Sequence, residues 1–324
     1  MTPQTTRVWL WLHKWSSLIC TVFMLLLCLT GLPLIFHHEL GHWLGTEMQA
    51  PPLPAGMAAR AVTLDEAVAV AQRVHPDRVA QYASPEEDSD DLWRVTMAPT
   101  PAPTDDFRLV VVDARTGDYL GTPPLHSGFL WIMFKLHVDL FAGLAGKLFL
   151  GLMGVLLLVS LISGTVLYAP FMRKLAFGTV RRGSARPASG QEDDRARKQR
   201  AAQRRLKWLD LHNLLGIVLL AWLFVVGGTG VINTWADLLV KYWQHDQLSA
   251  YLAPYKGQPT VPPGERAPIH QALHAAQEAV PDTRLYFMAF PGTAFASPHH
   301  YVFFMRGNTP LTAHLPRPVL VDAR

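Results

Sequence analysis

An apolar phrase near the start of this chain recurs in its second half, and each copy is long enough to cross a bilayer. Leu12-His13 opens a run that reaches Thr30-Gly31, and Leu211-His212 opens another that reaches Thr229-Gly230. Both pairs of landmarks are offset by 199 positions. At about 1.5 Å of rise per residue, each phrase spans roughly 27 Å, close to the thickness of a bilayer's hydrocarbon core. Each copy therefore reads as a membrane helix with a histidine at its first interface and a Thr-Gly pair near its last.

Composition agrees with a mixed membrane and extramembrane architecture. Half of the 324 residues are hydrophobic (50%) and the mean hydropathy is +0.15, more apolar than an ordinary soluble chain. Three runs qualify as spans, 16–36, 148–170 and 214–235. Arg7 and Lys14 precede the first, as in a signal peptide, but the apolar run outlasts an h-region, so a retained anchor is expected. Charge then sets the orientation. Between Arg173 and Lys207 lie twelve Lys/Arg against three acids, Glu192, Asp193 and Asp194, whereas 37–128 carries six Lys/Arg and fourteen Asp/Glu. The positive-inside rule puts the N-terminus (1–15) and the basic loop (171–208) in the cytoplasm, and the acidic segment and the C-terminal segment outside. A basic loop beside membrane helices faces lipid and orients the chain, so the pI of 9.1 does not point to nucleic acid. Cys20 and Cys28 both fall inside the first span and suggest no extracytoplasmic disulfide framework.

Taken in order, the first span ends near His37 and a linker with Pro51, Pro52 and Pro54 follows. Thr63-Leu64-Asp65-Glu66 reads as a capping box. The helix behind it places Leu64, Ala67, Val68, Ala71 and Val74 on one face, and Pro76 ends it. Strand-like runs at 92–97 and 107–112 and a turn at 115–118 complete a small extracytoplasmic α+β domain, 37–128. An amphipathic approach and the second span occupy 129–170, and the third span with its lead occupies 209–235. The tail, 236–324, repeats the domain: Pro268 starts a helix with Ile269, Leu273, Ala276 and Val280, strands are expected at 284–290 and 299–305, and Val-Leu-Val-Asp-Ala-Arg at 319–324 matches Val-Val-Val-Asp-Ala-Arg at 110–115. The expected fold is thus a multi-pass α-helical membrane protein with small α+β domains. Its unit, helix, domain, helix, is used twice as parallel repeats, the second copy lacking its last helix.

This layout resembles the PepSY-associated transmembrane family of bacterial inner-membrane proteins, the group that includes siderophore-iron reductases. The resemblance rests on Leu12-His13-Lys14-Trp15 with Thr30-Gly31, on the PepSY-like ending Val112-Asp113-Ala114-Arg115-Thr116-Gly117, on Leu136-His137 followed by Gly143, Gly146 and Ser163-Gly164, and on Leu211-His212 with Gly216. It covers nearly the whole chain. It implies four membrane helices, periplasmic PepSY domains and, in the reductase members, b-type haem held by helix-borne histidines. A chain without the fourth helix departs from that pattern at any site using it.

With that resemblance in view, His13 and His212 stand out, because they occupy equivalent repeat positions at the cytoplasmic end and iron in haem accepts two axial imidazoles. The plainer reading makes them interfacial residues capping helix ends. His137 lies toward the periplasmic side and would serve a second haem, with His37, His38 or His126 as alternative ligands; one or two haem b are expected. His38-Glu39-Leu40-Gly41-His42 also matches H-E-x-x-H, the metalloprotease helix motif, but Met48 stands where the longer pattern needs its third histidine. An interfacial helix with Trp43 as an aromatic anchor accounts for the segment as well. His270 and His274, and the pair His299-His300, have chelating spacing that an ordinary helix face and strand end explain equally. Trp9, Trp11, Trp15, Trp235 and Trp243 suit an aromatic belt.

The reading that follows is an inner-membrane, haem-binding oxidoreductase that touches membrane lipid and passes electrons from an unspecified donor to a ferric siderophore or similar iron chelate in the periplasm. The alternatives are an anchored periplasmic PepSY sensor or binding module without catalysis, and a membrane zinc metalloprotease. Orientation gives the first test. Alkaline phosphatase fused after Arg324 should be active, and a reporter that works only in the cytoplasm should be silent there.

Overall fold

The computed structural model describes residues 2–53, 55–56, 58–86, 91–172, 175–181 and 194–324. Pro54 and much of the basic segment, including Arg173, Glu192 and Asp193, lie outside them. In chain order the helices are α1 (Pro3–Ile35), α2 (His37–Trp43), α3 (Leu64–Val74), α4 (Gly128–Val138), α5 (Gly143–Met172), α6 (Asp194–Val218), α7 (Leu220–Thr234), α8 (Ala236–Gln247), α9 (Ser249–Leu252) and α10 (Ile269–Ala279). The strands are β1 (Val79–Pro85), β2 (Leu92–Ala98), β3 (Arg108–Asp113), β4 (Tyr119–Gly121), β5 (Thr283–Ala289), β6 (His300–Gly307) and β7 (Arg317–Asp322). They divide into two units, a helical one of residues 1–35 and 132–243 and a sheet unit of residues 36–131 and 244–324.

In the helical unit, α1 and α5 are each long and apolar enough to cross a membrane among the described residues, and the bent pair α6–α7 makes a third crossing if it counts as one. α1 begins at Pro3, ahead of the apolar phrase that opens at Leu12, because Val8, Trp9, Leu10 and Trp11 already continue the helical run. The expected straight span over 214–235 is instead two helices bent by 66°, with Leu219 at φ −91°, ψ 0° between them. α5 packs against α1, where Phe23 meets Phe149 edge-on at 4.7 Å, and against α7. Small residues bring α5 and α7 close: Val231 lies against Gly154, and Leu157 and Leu158 against Gly227. Trp235 lays its indole on Gly151.

The α4–α5 joint is held by ions and by strain. Lys135 pairs with Asp139, whose other oxygen accepts the Phe141 N–H at 2.9 Å. Leu140 and Phe141 are left at φ 54° and 60°, a region that costs a side-chain-bearing residue of order 1 kcal/mol. Asp139 is 5% exposed, so the carboxylate needs both partners.

The sheet unit has seven antiparallel strands in the order β4-β3-β2-β1-β5-β6-β7. The two segments expected as separate domains thus contribute to one continuous sheet. α3 starts at the expected capping box, with Thr63 accepting the Glu66 N–H and Glu66 accepting the Thr63 N–H. α3 and α10 contact the strands and each other. Their apolar residues, among them Leu64, Ala67, Ala71, Ala272 and Ala276, join Val95, Val110, Met288, Phe303 and Met305 in a single core. Burying a side chain such as Phe303 (0% exposed) contributes about 1.5–3 kcal/mol.

The two halves close alike. Val62 N–H donates to Ala114 C=O at 3.0 Å and Ala267 N–H to Ala323 C=O at 2.8 Å, while Asp113 and Asp322 accept the backbone N–H two residues on, at 2.8 and 3.0 Å. Besides the β1–β5 pairing, a polar contact joins the halves. The Asp65 carboxylate on α3 accepts the N–H groups of Ile269 and His270 at 2.7 and 2.8 Å, and also meets His270 Nδ1 at 3.0 Å. A carboxylate at a helix start satisfies orphan donors and opposes the positive end of the helix dipole.

Two outcomes follow. Asp65→Ala should destabilise the sheet unit by about 1–2 kcal/mol, read as a lower unfolding midpoint by circular dichroism, while Asp65→Asn should recover part of the loss. Acid should act through Asp113, whose carboxyl the Arg115 side chain holds below its usual range. A depressed folded pKa contributes stability that is present above the unfolded value, about 3.9. That stability is lost as pH falls through the folded value, so acid unfolding should begin below about pH 4 and at higher pH in Arg115→Gln.

Candidate functional site

The helical unit brings His13 and His212 together. Their ring centroids lie 6.0 Å apart with an interplanar angle of 61°. His13 is half-buried and His212 exposed. His13 Nδ1 lies 3.0 Å from the Ser160 carbonyl and 3.2 Å from Ser163 Oγ, both on α5. A carbonyl oxygen only accepts, so Nδ1 carries the proton and Nε2 keeps its lone pair. A backbone hydrogen bond on one ring nitrogen is how proteins orient an imidazole whose other nitrogen is a ligand. Two imidazoles on one metal, each nitrogen about 2 Å from it, have centroids about 6 Å apart. The pair thus supplies two imidazole donors at a separation compatible with one shared metal.

His137 has the same kind of seat at the other end of α1. Its Nδ1 lies 3.0 Å from Thr30 Oγ1, whose own proton goes to Leu26 C=O at 2.8 Å, so the imidazole donates here too. The match extends to the glycines. A Cβ at Gly164 would lie 3.0 Å from His13 Cε1 and 3.4 Å from its Nδ1, and a Cβ at Gly31 would meet His137 at the same two distances. Each ring thus rests on bare backbone of the facing helix, beside a serine or threonine. The third such pair, Thr229-Gly230, has nothing within 4 Å of the position a Cβ would take at Gly230. Residues 13 and 30 are separated by roughly 26 Å along α1, so the two imidazole levels sit at opposite ends of the helix. Among the described residues, no ring contact joins His137 to another histidine.

The remaining candidates belong to the sheet unit and have their own partners. His37 and His38 lie with ring centroids 4.0 Å apart, and His38 Nδ1 meets Glu47 Oε1 at 2.7 Å. His126 lies edge-on to Phe107 and to Trp131, both at 4.8 Å. α2 does carry His38, Glu39 and His42 on one short helix, yet no group of three His, Cys, Asp or Glu set to hold a metal occurs among the described residues. His270 bonds Asp65, His274 lies 3.5 Å from Glu278, and His300 Nδ1 lies 2.6 Å from Ser297 Oγ.

Near the His13 level, Asp210 is fully buried and takes Arg181 through its N–H, Nε and Nη2 at 2.9, 2.9 and 2.6 Å. Sequence reasoning missed Asp210 and Ser160, and placed Asp139 only in the amphipathic approach beside Lys135 and His137. It quoted Thr30-Gly31 and Ser163-Gly164 without reading them as seats, although the recurrence of a hydroxyl residue before glycine was the available signal.

With this geometry in view, the sequence was compared with known proteins. The profile of the PepSY-associated TM region matches residues 10–311. The chain belongs to this family. No curated protein matches it significantly. Membership makes this PepSY-associated protein a membrane protein, in keeping with its apolar helices and its separate antiparallel sheet unit.

The glycine seats can be tested without any cofactor. Gly31→Leu and Gly164→Leu should each displace the facing imidazole and cost about 1–3 kcal/mol, seen as a lower thermal midpoint of the purified protein. Gly230→Leu meets open space and should leave the midpoint unchanged or higher, leucine being the better helix former.

Proposed function

We propose that this PepSY-associated protein is an inner-membrane electron-transfer protein that binds b-type haem and reduces a ferric siderophore or similar iron chelate on the periplasmic side. The observation that carries the reading is the His13–His212 pair at 6.0 Å, with His13 Nδ1 already engaged by α5. Iron held by two such imidazoles supplies one-electron transfer. The chain's own residues do the rest. Ser160 and Ser163 hold the His13 proton at Nδ1 and so keep Nε2 available as a donor. Gly164 lets the ring come close to α5, where a side chain would push it away. Arg181 holds Asp210, two residues before His212, which ties the start of the apolar part of α6 to the segment around residue 181.

His137 is the donor proposed for a second haem at the opposite end of α1, the level where Thr30 and Gly31 orient it. One level alone does not cross the roughly 26 Å between residues 13 and 30, and two levels make a relay from the cytoplasmic to the periplasmic face. The finer architecture belongs to the same reading: a helix–domain–helix duplication, N-terminus cytoplasmic, with His13 and His212 as its equivalent ligands. The like closure of the two half-sheets and the Thr-Gly pairs at 30–31 and 229–230 support the duplication.

A reduced-minus-oxidised spectrum of the purified protein tests the reading, and a b-type α-band is expected. His13→Ala and His212→Ala should affect one and the same haem, each leaving an open axial position, and the double variant should add little because the two act as a unit. His137→Ala should spare that haem. Single variants that perturb different haems would show that the pairing is wrong, and a protein without haem would return it to a sensor or binding role.

A further inference from the structure

Among the described residues of α6, the one that is fully buried is a carboxylate. Asp210 is 0% exposed, while Leu206, Trp208, Leu209, Leu215 and Val218 are left open. A helix on a protein surface normally settles by sinking an apolar stripe, and that stripe fixes its rotation about its own axis. α6 buries no such stripe, and it touches α5 and α7 far less than α1 touches α5.

Polar ties stand in for the stripe. Asp210 Oδ2 accepts the Arg181 backbone N–H and Nε, both at 2.9 Å, and Oδ1 accepts Nη2 at 2.6 Å. Segment 175–181 presents that fork after a turn in which Thr179 N–H meets Ala176 C=O at 3.1 Å and Gly178 takes φ 80°. Asn213 Nδ2 adds a second tie, to Met172 Sδ at the end of α5, at 3.4 Å. Between Leu206 and Val218, no other side chain of α6 bonds to another segment among the described residues. A guanidinium fork on a carboxylate is strict about direction. Buried ion pairs of this kind contribute little net stability, and their best-attested use is to fix a register.

Both ties lie on one face. At about 100° per residue, Asp210 and Asn213 are roughly 60° apart around the axis, and His212 is roughly 160° from the first and 100° from the second. Held by that face, α6 carries His212 on another side, where its ring reaches 6.0 Å from His13. The two imidazoles are not secured alike. His13 Nδ1 bonds α5, whereas His212 makes no hydrogen bond among the described residues. Its place therefore follows from the rotation of α6. A turn of about 25° would carry a group at the ~5.5 Å helix edge through roughly 2.4 Å, far beyond the about 0.2 Å within which metal–ligand distances hold. We propose that the Arg181–Asp210 pair is a positioning clamp that sets the rotation of α6 and thereby the reach of His212 toward His13. Neither residue is a ligand, and both act through His212. The purpose assigned to the clamp rests on the haem reading, but its geometric effect does not.

The test reads the geometry first, without a cofactor. In the full chain in detergent, with Cys20 and Cys28 replaced by serine, His13→Cys and His212→Cys are bridged by bis-maleimidoethane and the joined peptides quantified by mass spectrometry. Asp210→Ala and Arg181→Gln should each slow the bridging by about tenfold. The double variant should add little, because the two residues act as one unit, and Asp210→Glu should recover part of the rate. A control pair across α1 and α5, Phe23→Cys with Phe149→Cys, should bridge equally in every background. With both histidines restored and haem loaded, Arg181→Gln should move the ferric spectrum from low spin toward high spin while the haem stays bound, and Arg181→Lys should reverse part of the change. Unchanged 13–212 bridging in a folded Arg181→Gln variant, or equal slowing of both cysteine pairs, would overturn the proposal. Arg181 is 42% exposed, so this variant decides the matter even where Asp210→Ala fails to fold. A preparation without haem would sink the haem reading and leave the bridging rates to judge the clamp.

Discussion

A polar ring placed among membrane helices has to be given a partner by the protein, because hydrocarbon offers none, and the helical unit is arranged around that demand. His13 and His137 each carry an Nδ1 proton that a facing helix must accept. Each is accommodated in the same way, by a hydroxyl oxygen on the residue before a glycine whose missing side chain leaves room for the ring. The seats are reciprocal. α1 supplies the histidine at one end and the glycine at the other, and α4 and α5 together return the favour. The approach of α1 to α5, and through α5 that of α7, follows from these contacts, since a ring resting on bare backbone sets how near two helix axes can come.

Much of this was legible in the residues. The 199-residue offset put His13 and His212 at one level, and the structure brings their rings to 6.0 Å. The capping box at Thr63 and Glu66, the strands at β2, β3, β5 and β6, and the matched Asp-Ala-Arg endings could all be read from local chemistry. β1 could not, since Val-Ala-Gln-Tyr-Ala-Ser-Pro alternates weakly and ends in proline. The union of two segments in one sheet was also hidden, because its seam is two residue pairs between strands about 200 positions apart. The bend at Leu219 carries no proline or glycine at the break itself, and Asp139 gave no sign that it would tie a strained turn. These features are decided by distant packing, which periodicity does not report.

The sheet unit shows a complementary logic. Its core is built by small residues on α3 and α10, with Ala67, Ala71, Ala272 and Ala276 letting the helices sit close against the strands and each other. Where the packing is dense the strands pair fully. Where β1 and β5 diverge, a cleft lined by aromatic and charged side chains takes the place of pairing.

The order in which the sheet is completed has a consequence for how the protein is made. β1 is a central strand in the finished unit, but its partner β5 and the α10 N-terminus that Asp65 caps are synthesised about 200 residues later. At translation rates of roughly 5–20 residues per second, the first half-sheet waits on the order of 10–40 seconds with β1 as an open edge and Asp65 uncommitted. An exposed strand edge is a template for wrong pairing. During that interval the half-sheet is the segment of this chain most in need of a chaperone, and the late arrival of residues 283–289 is what ends the hazard.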